Sequence, residues 1–235
     1  NEKNYFIREG ENVTDLLEVV KWDPPLPASL GGNAVGFFPQ FIRKTDQDRI
    51  QNVFGKTYQK YANDTWEVSM KLDGSSFTAY WNDGKFGVCS RNIDLAESDE
   101  NTFWQVAKKY NLPEILKDYD RNIAIQGELM GPGVQGNREK FPDHRLFVFS
   151  IFNINTQEYY SPVDAEELTS QLGLDYVPVI ATTKFVFGDV KDFLTYAEGP
   201  SINHPIREGL VFKSLETPGV SFKVIANNFL LKEKD

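Results

Sequence analysis

The tetrapeptide Lys71-Leu72-Asp73-Gly74 places a lysine at the end of a strand-like run, just before a turn. A lysine so placed projects into a cleft, while the glycine lets the backbone bend sharply. It becomes a nucleophile when burial or neighbouring cations lower its pKa enough to expose a lone pair. Taken alone, the segment reads equally well as a surface lysine beside a β-turn. Other segments change that balance. Gln126-Gly127-Glu128-Leu129 ends a strand on a glutamate ahead of Gly131-Pro132-Gly133. Arg207-Glu208-Gly209-Leu210-Val211-Phe212-Lys213 puts a glutamate at a strand start and a lysine at its end, and Phe222-Lys223-Val224 adds a lysine on a last strand. Ser90-Arg91-Asn92 supplies an arginine after a hairpin. Each piece is weak singly; their order and spacing are specific.

The elements that must hold these residues are short. Trp66 to Lys71 alternates as a strand does, and Phe77, Ala79 and Trp81 face opposite to Thr78 and Tyr80. Asn82-Asp83-Gly84 is a hairpin turn signal leading to a strand at Phe86 to Ser90. Phe103, Val106, Ala107 and Tyr110 follow helical spacing. Further strands are expected at Asn122 to Leu129, Leu146 to Ile154, Gly209 to Lys213 and Val220 to Val224. Helices are expected from Ser161-Pro162 to Gly173 and over Val190 to Glu198. Strands scattered among helices without strict alternation predict an α+β fold with mainly antiparallel sheets. Residues 1–64 read as a lead-in strapped across the flank of a domain spanning 65–235. Its cations Arg43, Lys44 and Arg49 can contact a phosphate backbone, though solvated charges explain them as simply.

Composition narrows the classes. The chain has 235 residues, 40% hydrophobic, enough for a core, so disorder and coiled coils are excluded. No apolar run is long enough to span a membrane as a helix. One cysteine, Cys89, and two histidines cannot complete a zinc site, and a reducing, intracellular compartment is expected. Cys89 itself reads as a packed small hydrophobe. With 25 Lys and Arg against 34 Asp and Glu, the net charge is −9, the wrong sign for a general nucleic-acid coat. Phosphate binding must rest on a few placed cations.

The order of these segments resembles the covalent nucleotidyltransferase superfamily, which includes polynucleotide ligases and messenger-RNA capping enzymes. The resemblance runs from about Trp66 to Lys232. Lys71-Leu72-Asp73-Gly74 looks like motif I, Ser90-Arg91-Asn92 like motif Ia and Gly127-Glu128-Leu129 like motif III. Val148-Phe149-Ser150-Ile151 resembles motif IIIa, Glu208-Gly209-Leu210-Val211 motif IV and Phe222-Lys223-Val224-Ile225 motif V. The stretch Gly127 to Gln135 is similar to RNA ligases in particular. The lead-in, from Lys21-Trp22 through Phe38-Pro39-Gln40-Phe41-Ile42 to Lys44-Thr45-Asp46, resembles nick-sealing RNA ligases of the Deinococcus/Naegleria type.

The resemblance implies an α+β, ATP-grasp-like ligase adenylylation domain with two mainly antiparallel sheets flanking a nucleotide cleft. An N-terminal OB module would precede it; without that module, self-adenylylation is expected and nick sealing is expected to be weak. Lys71 would attack the α-phosphorus of ATP to form lysyl-AMP, AMP would pass to a 5′-phosphate, and a 3′-OH would displace it. The implied substrate is a nicked duplex with a 5′-phosphate and an RNA 3′-OH end, handled by a monomer. Lys223, with help from Lys213, would contact the α-phosphate, Arg91 would hold the nucleotide or the incoming phosphate, and Phe149 would stack on adenine. Asp73, Glu128 and Glu208 would hold Mg²⁺ or Mn²⁺ directly or through its water shell, with ribose contact the alternative for Glu128. Two departures stand out. Met70 occupies the position where related phage-type RNA ligases often have glutamate, leaving adenine contact there to backbone groups. Lys223-Val224-Ile225 replaces Lys-x-Lys, so a second cation must come from Lys213 or Lys232 or be absent. Rival readings are a GTP-using capping enzyme, a DNA ligase domain and a non-catalytic nucleic-acid-binding module.

Overall fold

The structure, a computed structural model, describes residues 33–232. Two sheets carry the fold. The larger follows the order β1 (Ala34–Phe37), β5 (Ile93–Leu95), β4 (Lys85–Cys89), β3 (Ser75–Asn82), β6 (Ile123–Met130), β7 (Arg145–Asn153) and β8 (Glu158–Tyr159). All of these pairs are antiparallel; β9 (Asp175–Tyr176) joins β7 in parallel. The smaller sheet runs β10 (Val179–Thr183), β2 (Trp66–Lys71), β11 (Gly209–Ser214) and β12 (Ser221–Ile225), antiparallel throughout. This is the α+β architecture with two mainly antiparallel sheets that the sequence predicts.

Period-two alternation gives each sheet one apolar face. On the small sheet Trp66, Val68, Leu210, Phe212, Phe222 and Val224 are buried together. Phe212 and Phe222 stack with ring centroids 4.9 Å apart. That face is covered by α5 (Val190–Ala197) and by the helical stretch α1 (Ile50–Val53), which widens into a π-type turn over Phe54–Tyr58. On the large sheet Phe77, Ala79, Val88, Ile125, Leu129 and Val148 form the second core. They pack with residues of α2 (Thr102–Lys109), α3 (Leu112–Tyr119) and α4 (Pro162–Gln171). The helix starts follow local chemistry: Asn101 accepts from the amides of Phe103 and Trp104, and Ser161 from that of Asp164. Asp83 and Gly84, at φ 48° and 77°, form the two-residue hairpin turn between Asn82 and Lys85.

Several elements lay outside the sequence reading. Ala34–Phe37, in the expected lead-in, is the edge strand of the large sheet, paired to Ile93–Leu95. Val179–Thr183 is an edge strand with mostly exposed residues, so it carries no hydrophobic alternation to read. The sixth helix, α6 (Asn227–Lys232), closes the described chain. Lys21-Trp22 and the side chain of Lys232 lie outside the described residues. Among the described residues no helix is long and apolar enough to cross a membrane.

Candidate active site

The inward faces of the two sheets enclose a cavity of about 480 Å³, lined by Lys71, Asp73, Arg91, Glu128, Phe149, Glu208, Lys213 and Lys223 together. Residues scattered over 150 positions thus meet in one place. Register explains it. Lys71 lies opposite Gly209, so Glu208, one residue earlier, reaches the lysine. Lys223 lies opposite Val211 on the next strand. Lys71 Nζ stands 2.7 and 2.8 Å from the two carboxylate oxygens of Glu208. Burial raises the Glu208 pKa, and Lys71 opposes that shift.

The turn after Lys71 is held from the other sheet. The amide of Gly74 donates to Glu128 Oε1 at 3.0 Å. A Cβ on Gly74 would lie 2.4 Å from the carbonyl oxygen of Leu129 and 2.5 Å from Met130 Sδ, so only glycine allows this approach. Burial pushes the Glu128 carboxyl up from 4.5 to about 7, against the charge of Lys71 and the Gly74 hydrogen bond. A raised carboxyl stabilises the fold while protonated and loses that contribution as pH rises through its folded value. In EDTA, Glu128→Gln is therefore expected to gain stability over the parent by about 1–3 kcal/mol between pH 5 and pH 8. Denaturant titration at the two pH values measures it; an equal difference at both would show that Glu128 is not strained by ionisation.

Phe149 owes its position to a break in the ladder. Gln126 pairs with Ser150 but Gly127 with Val148, so Phe149 is the extra residue of the longer strand. Such a bulge re-aims a side chain. Phe149 lines the cavity beside Met70, Val177 and Val211, while Phe147 and Phe152 are buried in the packing. Of the three phenylalanines only Phe149 lines the cavity.

Three expectations change. Among the described residues no three His, Cys, Asp or Glu side chains are placed to hold a metal ion, so Asp73, Glu128 and Glu208 do not form a direct carboxylate cage. Each is committed elsewhere: Glu208 to Lys71, Glu128 to the Gly74 amide, and Asp73 toward Arg138 at 3.6 Å. An all-oxygen set of this kind fits Mg²⁺ or Mn²⁺ held through water and substrate oxygens. Lys213 lines the cavity, but its Nζ donates to Glu67 Oε1 (3.0 Å), the Phe149 carbonyl (2.6 Å) and the Tyr176 hydroxyl oxygen (3.2 Å), which uses all three protons. It braces the stacking residue and leaves no proton for a phosphate. The amide of Met70 donates to the Pro178 carbonyl, so it does not serve adenine. Ile225 is buried, leaving Lys223 without a second cation in its strand.

Burial lowers the Lys223 pKa; Lys71, Arg49 and Arg91 lower it further, and Asp46 raises it. The sequence reading missed the wall that brings these charges in: Phe38 and residues Lys44, Thr45, Asp46 and Gln47 border the same cavity. The cations Arg43, Lys44 and Arg49 and the Lys44-Thr45-Asp46 end of the lead-in were its signals, and a sequence cannot say where a strap crosses.

A search of curated proteins found no match. The family profile for RNA ligase matches residues 64–225. Among solved structures, Naegleria gruberi RNA ligase with PPi is 39% identical over 96% of this chain and 68% of that one, with a TM-score of 0.83. The same ligase, as variants with ATP and Mn or with AMP and Mn, is 38% identical over 96% of this chain, covering 67% and 68% of those chains, with TM-scores of 0.83. With one cavity uniting the motif residues and the family profile spanning most of the chain, this protein belongs to the RNA ligase family.

Proposed function

We propose that the domain is an ATP-dependent RNA ligase whose covalent intermediate forms on Lys71, and that it seals nicks in duplexes with an RNA 3′-OH end. The observation that carries this reading is the Lys71–Glu208 pair set in a cavity with Lys223 and Phe149. Lys71 Nζ attacks the α-phosphorus, the bond to the bridging oxygen breaks, and pyrophosphate leaves. Glu208 orients the amine. Lys223, with its pKa lowered but its side chain unpaired across the strand by any carboxylate of the ladder, faces the α-phosphate. Positioning and charge neutralisation are most of what such a transfer needs. A bound divalent cation supplies further neutralisation of phosphate charge; Glu128 and Asp73 would anchor its water shell. Arg91 takes a phosphate of the nucleotide or of the incoming 5′ end. Action as a monomer is part of this proposal. The buried, free thiol of Cys89 suits a reducing compartment.

Adenine recognition gives a graded test. Stacking of a base on an aromatic ring is worth roughly 1–3 kcal/mol. Phe149→Ala is expected to raise the KM for ATP in covalent labelling by about 10- to 100-fold, and Phe149→Tyr to stay near the parent. An unchanged KM in Phe149→Ala would remove Phe149 from the nucleotide site. The reading as a whole is tested by incubation with α-labelled ATP or GTP and Mg²⁺ followed by denaturation. Covalent label from ATP is expected; label from GTP alone would turn the assignment to capping chemistry.

A further inference from the structure

The strap over residues 41–49 crosses the mouth of the cavity from one sheet to the other. Side chains of the large sheet hold its carbonyls: Gln126 Nε2 donates to that of Arg43 at 2.8 Å, and the Tyr159 hydroxyl lies 3.1 and 3.3 Å from those of Arg43 and Lys44. Lys44 Nζ donates to Asn92 Oδ1 at 2.9 Å. On the far side the amide of Lys223 donates to the Asp48 carbonyl at 2.8 Å, and Arg49 bridges to Lys223 in parallel. At the centre of this span Asp46 Oδ1 meets Arg91 Nη2 at 2.8 Å. Lys44, Arg91 and Lys223 line this mouth, Arg49 lies beside Lys223, and Asp46 is the strap acid that lines it and meets Arg91.

We propose that Asp46 is an internal stand-in for a phosphate group: it holds Arg91 in the free domain and yields it to a phosphate entering the cavity mouth. This rests on the ligase reading above. The exchange is cheap. Asp46 and Arg91 side chains are 60% and 67% exposed, and ion pairs so solvated are weakly held. A phosphate offers the guanidinium two or more oxygens in a matching fork, and more charge than one carboxylate. Asp46 also tempers the positive field, which limits how tightly any polyanion is retained there. The pinned strap keeps the carboxylate in range before and after the exchange. The phosphate is either that of ATP and its pyrophosphate product, or the 5′-phosphate of the nicked strand.

The test is Asp46→Asn in the full chain, with melting temperature as a check on folding. One arm measures pyrophosphate inhibition of covalent labelling from ATP. The other measures binding of nicked duplexes with 5′-phosphate or 5′-OH ends by the adenylylated protein. Asp46→Asn is expected to tighten one or both phosphate-dependent constants about twofold to fivefold, the most that releasing Arg91 from so solvated a pair can return. The gain should shrink between ~50 mM and ~0.5 M salt. It should vanish when Asp46→Asn is added to Arg91→Ala. A shift confined to pyrophosphate identifies the nucleotide phosphates as the ligand, and a shift confined to the 5′-phosphate duplex identifies the strand end. Shifts under twofold in both arms, weaker binding, or a raised Mg²⁺ requirement would overturn the proposal while leaving covalent labelling, and so the ligase reading, intact. No label even from the parent chain would overturn both.

Discussion

Lys71→Ala is expected to abolish covalent labelling by α-labelled ATP, a loss of at least about 10³-fold, because among the described residues the other cavity lysines, Lys44, Lys213 and Lys223, come from other elements and Lys44 is bonded to Asn92. Lys213 has all three protons committed to Glu67, Phe149 and Tyr176. Lys223 approaches from another strand of the cavity wall. Lys71→Arg is expected to fail as well, since a guanidinium keeps its proton and offers no lone pair. Folding should survive. The Lys71 and Glu208 side chains are 26% and 13% exposed, and Glu208, already shifted upward by burial, can take a proton once its partner is gone. Label that persisted in Lys71→Ala would exclude Lys71 as the nucleophile. Loss of label together with a large fall in Tm would point instead to a structural role.

The second large effect is on stability and starts from Lys213. It lies directly across from Glu67 in the ladder between β11 and β2, and both side chains are nearly closed to solvent. Burial lowers the lysine pKa and Glu67 opposes that shift. The Tyr176 hydroxyl is 3.2 and 3.3 Å from the Glu67 oxygens and completes the network. Removing one partner of such a pair leaves a buried group uncompensated, at a cost of about 3–5 kcal/mol. Lys213→Met should therefore lower Tm by roughly 6–20 °C in a chain of this size. Adding Glu67→Gln should restore much of the loss, because the stranded charge is removed. Calorimetry or denaturant melts read this directly. If Lys213 instead contacts phosphate, Lys213→Met would keep its Tm and lose turnover. A further consequence follows from the hydrogen bond to the Phe149 carbonyl: the repaired double variant should still show a raised KM for ATP.

Much of the site is local chemistry and therefore legible in the chain itself. Lys71-Leu72-Asp73-Gly74 declares a strand end and a tight turn, and the clash a Cβ on Gly74 would make with Leu129 is the physical form of that glycine. The alternation of Phe212 and Phe222 with Lys213 and Lys223 shows two strands with one apolar and one polar face. The strands follow from patterns of this kind, because side-chain period is a property of consecutive residues; their grouping into two sheets was what the family resemblance implied.

What depends on pairing across space was closed to that reading. Lys213 and Lys223 look alike in sequence, each a lysine on an inward strand face. Only the register that sets Lys213 against Glu67 turns one into a buried brace and leaves the other in the cavity. Phe149 stands out from Phe147 and Phe152 through a bulge created by its pairing with another strand. Asp73, Glu128 and Glu208 share a chemistry but not a cage, since Lys71 holds Glu208, the Gly74 amide holds Glu128 and Asp73 lies toward Arg138. Asp46 shows no partner in the sequence until the strap is laid across Arg91. The sequence by itself determined the kinds of element and the stock of charges, and with the family resemblance it pointed to Lys71 as the candidate nucleophile. The tertiary structure decided which charges are spent on each other and which stay open to a substrate, because that depends on distances between residues the chain does not place side by side.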